Sequence, residues 1–311
     1  MDRKEYEKKI LELREKLYGV YVSYDKYVRY IFRFALACLV FGCINRCFPY
    51  HKTLSGILVT VVLAVVGSCL PDSLFVFMAV VLATVQIYYL APILAVAVFI
   101  GSIFLYVMFL RYSTKTIVFA AVFPVAVLLK IPALPAILIG LFFSPMGVLT
   151  VGGGTFCYYM FQAVKHCEVI LEGKAEKDVI AILKQFVDQI MQDQNMYVMV
   201  VSLCVVALLT NFVRTRKMAY SFEISIVLSA VAHLIILLLG NLLYNSNFSV
   251  AVVIVGSVIS AVFAYLIHFF HMVLDYGSME EVQFEDEDYY YYVRAVPKLK
   301  MTIEKKRVKK M

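Results

Sequence analysis

The strongest constraint on this chain is a series of apolar runs of 17 to 23 residues that recur along its 311 positions. A helix needs about 20 such residues to cross roughly 30 Å of bilayer hydrocarbon. The composition agrees, since 62% of the residues are hydrophobic and 16% are charged, whereas soluble domains have roughly 45–50% apolar and about 25% charged residues. One water-soluble core cannot bury this excess. The sequence therefore predicts an all-α, polytopic helical membrane protein solvated by the lipid bilayer.

The apolar runs group into two predicted membrane bundles, 28–164 and 196–271. Residues 116–143 are apolar but contain three prolines, and proline breaks a helix because it lacks the amide hydrogen. This segment therefore either crosses twice or forms a re-entrant hairpin, and the chain has about 8–10 transmembrane helices. The predicted spans are 28–48, 54–70, 74–90, 92–110, 116–143, 146–164, 196–213, 221–243 and 249–271.

Residues 1–27 precede the first span and predict a cytoplasmic amphipathic helix. Apolar side chains repeat through residues 6–31 with the alternating spacing of four and three that is typical of a coiled coil. The stripe favours a homodimer or a partner subunit packed along it, and the alternative is a helix lying flat in the lipid headgroups. Its members are Tyr6, Ile10, Leu13, Leu17, Val20, Tyr24, Tyr27 and Ile31.

Positive charge concentrates at both ends of the chain. Nine of the 29 lysines and arginines lie before residue 34, and eight lie after residue 293. Because cytoplasmic segments carry an excess of these residues, both termini are predicted to be cytoplasmic, in a cell membrane. Acidic residues interleave with the first basic stretch, which argues against nucleic acid as a partner.

A polar interlude, residues 165–195, separates the two bundles. Val179, Leu183, Phe186 and Ile190 recur within it at helical spacing, which predicts an amphipathic surface helix. With both termini inside, counting the spans places this interlude outside the cell.

Ionisable residues inside apolar spans are the first candidates for function, because their burial in lipid is costly without a partner or a cavity. His233 lies near the middle of 221–243, and a histidine there would relay protons or bind a substrate group. The alternative is a neutral imidazole that joins two helices through a hydrogen bond. Gln86, Asn211 and Asn241 are candidates for its polar partner, and Gln86, like His233, is also a candidate residue of the substrate or ion path.

The broken region, residues 116–164, is the second candidate for a substrate or ion path. Non-helical backbone is tolerated at membrane depth only where protein or a water-filled cavity satisfies it, and transporters aim such helix ends at substrates. The alternative is a set of kinked helices whose glycines permit close packing. The candidate residues are Pro124, Pro132, Pro135, Gly152, Gly153 and Gly154.

The other charged residues predict structural roles. Glu223 lies two residues inside its span, and the sequence predicts an interfacial ion pair between Glu223 and Arg216, with Lys217 as the alternative partner. His268 and His271 share a helix face, but no third ligand stands at a recognisable spacing, so no metal site is predicted. The catalytic motifs HExxH and GxSxG do not occur, so the sequence predicts neither an enzyme nor a cofactor.

The tail, residues 272–311, changes from acidic to basic around four consecutive tyrosines. Residues 282–303 alternate well enough for a short β-hairpin or an added strand. Residues 280–310 either lie beside anionic lipid or dock a cytoplasmic partner. The stretch EDEDYYYYVRAVPK, residues 285–298, resembles the C-terminal segment of multi-pass proteins of Gram-positive anaerobes that are loosely called ABC transporter permeases. This resemblance implies a bacterial inner membrane and transport, and it carries over no functional residues.

Together these features predict a transport component of unknown substrate, either permease-like or a secondary carrier. The alternative is a non-catalytic envelope scaffold or assembly protein that recruits partners through its termini. An ABC permease needs a cytoplasmic coupling helix to meet its ATPase, whereas the amphipathic helix in 165–195 is placed outside. An inverted topology would remove this objection.

Overall fold

The structure is a computed structural model, and it describes residues 24–171, 179–216, 218, 220–244, 246, 248–271, 280–285 and 290–295. Within those residues the chain forms a bundle of eleven α-helices followed by a two-stranded antiparallel hairpin. The prediction of an all-α polytopic protein with a small β element in its tail is confirmed. The elements are α1 (Asp25–Cys47), α2 (Ile57–Cys69), α3 (Asp72–Tyr88), α4 (Pro92–Tyr112), α5 (Ile117–Leu128), α6 (Ala133–Phe142), α7 (Val148–Leu171), α8 (Val179–Gln192), α9 (Gln194–Arg214), α10 (Ser221–Tyr244), α11 (Val250–His271), β1 (Glu280–Glu285) and β2 (Tyr290–Ala295).

Five of the described helices are long and apolar enough to cross a membrane, namely α1, α4, α9, α10 and α11. Helices α2, α3, α5 and α6 are apolar but shorter. Pro92 opens α4, at the position where its missing amide hydrogen costs nothing. Helix α7 continues to Leu171, so the first residues of the predicted interlude belong to the same helix as the predicted span 146–164.

One end of the bundle is rich in cations and is called the basic end. Arg33 in α1 donates a 2.6 Å hydrogen bond to Asp72 at the start of α3. The Phe222 ring at the start of α10 stacks on His268 near the end of α11, with centroids 5.1 Å apart. Helix α1 therefore begins, and helix α11 ends, at this same end of the bundle. Among the described residues its arginines and lysines include Arg29, Arg33, Arg111, Lys115, Arg214 and Arg216.

The opposite end carries α8 and is called the α8 end. Tyr50, after α1, donates a 2.6 Å hydrogen bond to Glu168 near the end of α7. Asn241 donates a 2.7 Å hydrogen bond to the carbonyl oxygen of Phe248, which joins the end of α10 to the segment before α11. Helix α8 buries Phe186 and Ile190, two of the four side chains predicted for its apolar face.

Three consecutive glycines bring α7 close to its neighbours. Successive residues of a helix point about 100° apart, so Gly152–Gly154 face different directions. A Cβ atom on Gly153 would lie 2.5 Å from Cζ of Phe109 in α4, and one on Gly154 would lie 2.9 Å from Cβ of Phe123 in α5. Gly152 faces α9. The glycines therefore permit the close packing that was the alternative interpretation of this motif.

The two ends of the chain are described only in part. Most of the predicted N-terminal stripe lies outside the described residues, but its members Tyr27 and Ile31 lie on α1 and are 71% and 65% exposed. In the tail, β1 and β2 pair with Phe284 opposite Tyr291. Residues 296–311, which carry most of the basic tail, lie outside the described residues.

Candidate functional site

Residues 113–150 contain a hairpin that leaves the basic end and returns to it. Ser113 Oγ donates a 2.7 Å hydrogen bond to the carbonyl oxygen of Met146, and the hydroxyls of Thr116 and Thr150 lie 2.8 Å apart. The arms α5 and α6 have 12 and 10 residues, which makes them about 18 and 15 Å long. The hydrocarbon layer is about 30 Å thick. Of the two predicted alternatives for 116–143, the geometry matches the re-entrant hairpin.

The tip of the hairpin stops below the α8 end. Lys130, between the arms, has a φ of 64°, in the left-handed region that costs a non-glycine residue about 1–2 kcal/mol. Its carbonyl oxygen packs so closely on Gly256 of α11 that a Cβ atom there would collide with it. Gly256 lies six residues after the first residue of α11, about 9 Å along the helix axis. The tip therefore lies within the depth of the bundle.

Side chains of α9 hold the returning arm. The last four carbonyl oxygens of a helix lack donors within the helix, and a cation is favourable beside them. Arg214 donates hydrogen bonds to the carbonyl oxygens of Leu141 and Phe143, the second at 2.8 Å. Asn211 donates to the carbonyl oxygens of Gly140 at 3.3 Å and Phe143 at 3.1 Å. The carbonyl oxygens at the buried end of α6 thus receive hydrogen bonds from α9 in place of water.

A cavity of about 130 Å³ lies beside the outgoing arm, enclosed by α1, α3, α4, α5 and α7. Its lining extends over 40–48 on α1, 120–128 on α5 and 157–165 on α7. Eight residues of helix rise by about 12 Å, so the cavity is elongated along the helices. It is partly open, and its lining reaches past the end of α5 at Leu128 to Phe48 and Lys165 at the α8 end.

The polar side chains that line the cavity are Lys165, Gln162 and Tyr158 on α7 and Ser102 and Tyr106 on α4, and the Tyr106 hydroxyl already donates a hydrogen bond to the carbonyl oxygen of Ser73. Lys165, at the α8 end, holds its Nζ 5.7 Å from the centroid of the Phe48 ring. Deeper in the bundle, Ser102 is 3% exposed, and its hydroxyl oxygen has no hydrogen-bond partner among the described residues. The thiols of Cys43 and Cys157 also line the cavity. The remaining wall is mostly aliphatic and aromatic.

The residues predicted for the broken region divide between cavity and core. Pro124 lies inside α5 and lines the cavity. Pro132 is the residue before the first turn of α6, and Pro135 is buried within that helix. The three glycines of α7 serve helix packing, as described above. Only Pro124 among these six candidates lines the cavity.

His233 lies away from the cavity, between α9 and α10. It is 2% exposed, and its Nδ1 lies 2.7 Å from Oγ of Ser202. One further polar pair joins the same helices, since Thr210 donates a 2.7 Å hydrogen bond to Ser229. This geometry matches the structural alternative, an imidazole that joins two helices.

The predicted polar partners of His233 all bind elsewhere. Gln86 donates a 2.9 Å hydrogen bond to Asn45 and accepts one from the amide of His51 at 3.1 Å. Asn211 binds the end of α6, and Asn241 binds the segment before α11. The expectation that one of these three residues contacts His233 is therefore wrong, because each satisfies nearby backbone or side-chain groups.

The predicted Glu223–Arg216 ion pair is replaced by another contact. The guanidinium carbon of Arg216 lies 3.9 Å from the centroid of the Phe212 ring, one turn earlier on α9. Oε2 of Glu223 is buried and has no hydrogen-bond partner among the described residues. Arg216 thus packs on an aromatic face of its own helix.

Sequence reasoning missed Arg214 as an anchor and Lys165 and Ser102 as cavity residues. Arg214 falls between the predicted spans 196–213 and 221–243, where a cation indicates only a cytoplasmic loop. The carbonyl groups that it binds are about 70 residues away in the sequence, so no local pattern pairs them with it. Lys165 stood at the predicted boundary between a span and the interlude. Ser102 lies in an unbroken apolar run, where a single hydroxyl gives no periodic signal.

No family model, curated protein or solved structure matches this chain. The geometry of its own residues therefore carries the functional argument.

Proposed function

We propose that this chain is a membrane transport component, permease-like or a secondary carrier, whose path includes the cavity beside the hairpin. The observation that supports this most strongly is the juxtaposition of a re-entrant hairpin with a partly open cavity at membrane depth. Discontinuous helices of this kind form substrate sites in many transporters. A bundle built only to hold partners together has no need of such a cavity.

The basic end lies on the cytoplasmic side in this proposal. Among the described residues it carries at least six arginines and lysines, against Arg46, Lys52, Lys165 and Lys184 at the α8 end, which fits the excess of such residues on the cytoplasmic side. Both termini then face the cytoplasm, and α8 and the Lys165 end of the cavity face outside. Cell-membrane localisation is part of the same proposal.

The reactivity of Cys157 tests transport. Cys157 lines the cavity on α7, whereas Cys204 on α9 does not line it. Each cysteine is kept as the only one in the chain, and membrane vesicles of both orientations are treated with a small, charged methanethiosulfonate reagent. A transport path opens to each side in turn, so Cys157 reacts from both faces, about tenfold or more faster than Cys204. Equal, slow reaction of both cysteines, or access to Cys157 from one face only, would contradict transport.

A scaffold is the second candidate, and the C-terminal β-hairpin favours it. Tyr290 is 63% exposed and Tyr291 is 38% exposed, and exposed aromatic side chains are enriched at protein interfaces. A scaffold function requires that deletion of residues 280–311 abolish recruitment of a cytoplasmic partner while Cys157 stays unreactive.

A further inference from the structure

The dimensions of the cavity favour one extended chain as its occupant. It runs over about 12 Å of helix, yet its volume is about 130 Å³. A compact cavity of about 150 Å³ accommodates a benzene ring. The cavity of this protein has a similar volume but is elongated along the helices, so its cross-section is smaller. It therefore suits a single aliphatic chain better than a ring or a folded polar solute.

In the conformation described above, the wall of the cavity disfavours water and polar solutes, so a charged reagent reaches Cys157 only when the transport path opens to one face. A buried water needs two to four polar partners, and burial of an unpaired polar group costs free energy. Ser102 offers one buried hydroxyl without a partner among the described residues, in the middle of a wall formed by side chains such as Phe109, Ala121 and Val125. An occupant that is mainly aliphatic but carries one oxygen atom at this depth would satisfy the hydroxyl.

Lys165 supplies a positive charge at the α8 end of the cavity. It is half-buried and its Nζ lies over the Phe48 ring. Among the described residues no carboxylate forms an ion pair with Lys165, and Glu168, three residues later, accepts a 2.6 Å hydrogen bond from Tyr50 instead. An oxyanion at this end of the cavity would therefore meet a cation that has no ion-pair partner among the described residues.

The separation between Lys165 and Ser102 selects among anionic amphiphiles. Gly101, beside Ser102, faces Met160 of α7, and Met160 lies five residues before Lys165, about 7.5 Å along the helix. A glycerophospholipid carries its ester oxygens a few bonds from its phosphate, whereas a free fatty acid has only methylene groups at that distance from its carboxylate. The pattern fits a phosphate at Lys165, an ester or hydroxyl oxygen at Ser102, and an acyl chain beyond.

We infer that the cavity is a binding site for one acyl chain of an anionic glycerophospholipid, with the phosphate at Lys165. This inference rests on the proposed function, because it names the substrate class of the same cavity. To the proposed function it adds that the substrate has an acyl chain, a negatively charged phosphate, and an ester or hydroxyl oxygen at the level of Ser102.

Native mass spectrometry of the full chain tests the inference. Lysophosphatidylglycerol, lysophosphatidylcholine and palmitate are added separately to the detergent-solubilised protein. The wild type is expected to retain one lysophosphatidylglycerol per chain and to bind palmitate at least about fivefold more weakly. Lys165→Gln weakens lysophosphatidylglycerol binding about tenfold and removes its preference over lysophosphatidylcholine. Lys184→Gln, which removes an exposed cation of α8 at the same end, leaves binding unchanged.

Two further variants separate the cavity from the surface. Ala121→Phe fills the cavity and abolishes binding, and Val40→Phe does the same from the opposite wall if the first variant does not fold. Ser102→Ala weakens lysophosphatidylglycerol binding but leaves palmitate binding unchanged. Tighter binding of palmitate than of lysophosphatidylglycerol, or equal binding by wild type, Lys165→Gln and the filled variants, would overturn the inference. If lysophosphatidylglycerol does not bind but Cys157 still reacts from both faces, only the lipid assignment is refuted. If lysophosphatidylglycerol binds as expected but Cys157 does not react, only transport is refuted.

Discussion

The guanidinium of Arg214 donates a 2.8 Å hydrogen bond to the carbonyl oxygen of Phe143, the residue that follows the last turn of α6. This bond joins the returning arm of the membrane hairpin to a full-length helix. The hairpin arms make few contacts with each other, whereas α5 packs on α7 and α6 packs on α9 and α11. The Arg214 hydrogen bonds and the contact between Lys130 and Gly256 fix the two ends of the returning arm within this packing.

Arg214→Ala is expected to lower the free energy of unfolding by about 2 kcal/mol, because hydrogen bonds to charged groups are worth about 1.5–3 kcal/mol each and this side chain is only partly buried. Unfolding in mixed detergent micelles measures the change. Arg216→Ala is the matched control, since Arg216 is exposed and its side chain contacts the Phe212 ring of its own helix rather than a carbonyl oxygen of α6, and its loss should cost less than about 1 kcal/mol. Equal stability of Arg214→Ala and wild type would show that the hairpin is held by other contacts.

Gly256→Ala is expected to displace the tip of the hairpin. The added methyl group meets the carbonyl oxygen of Lys130, a backbone atom that cannot rotate away, and overpacking of this kind costs about 1–3 kcal/mol. Gly42→Ala in α1 is the control, because a Cβ atom at Gly42 has nothing within 4 Å, and it should be neutral or stabilising by up to about 1 kcal/mol. Similar melting temperatures for the two variants would count against the close contact at the tip.

His233 is expected to contribute to stability rather than to transport. In a double-mutant cycle of Ser202→Ala and His233→Ala, the coupling energy should be near 0.6 kcal/mol, about the average for polar pairs between membrane helices. Reactivity of Cys157 from both faces should persist in His233→Ala, since the imidazole does not line the cavity. If His233→Ala folds with wild-type stability but abolishes two-sided access, the proton-relay hypothesis is supported instead.

The orientation of the bundle predicts which residues can be labelled in intact cells. In a variant that lacks the seven native cysteines, Lys184→Cys on α8 should react with an impermeant maleimide. Thr215→Cys at the basic end should react only after permeabilisation. The reverse pattern would place α8 in the cytoplasm, where it would serve as a coupling helix for an ATPase, as the resemblance to ABC permeases implies.

Much of the fold was predictable because the length of an apolar run indicates a membrane helix and a proline indicates where a helix breaks. The runs ending near Tyr112 and Arg214 and the amphipathic spacing of Phe186 and Ile190 gave the corresponding helices. Pro124, Pro132 and Pro135 marked the hairpin. These signals are local, since each depends on neighbouring residues of one segment.

The candidate site was predicted poorly because it depends on contacts between distant segments. An apolar side chain that lines a cavity cannot be distinguished by sequence from one that packs in a core. The role of Arg214 depends on where the end of α6 lies in space, and the choice between Ser202 and Gln86 as the partner of His233 depends on which helices are neighbours. Pro124 was the one predicted residue whose local signal, a break in a helix, coincided with the cavity.

The depth of the hairpin tip tests the account most directly. Leu129, beside Lys130, is 50% exposed, so a spin label on Leu129→Cys reports its surroundings without entering the core. In lipid vesicles the label is expected to be more accessible to oxygen than to a polar nickel complex, with a depth several ångströms below that of a label on Lys184→Cys. A label at residue 129 that is as accessible to the nickel complex as one at residue 184 would show that the segment crosses the membrane completely, and would contradict the re-entrant hairpin.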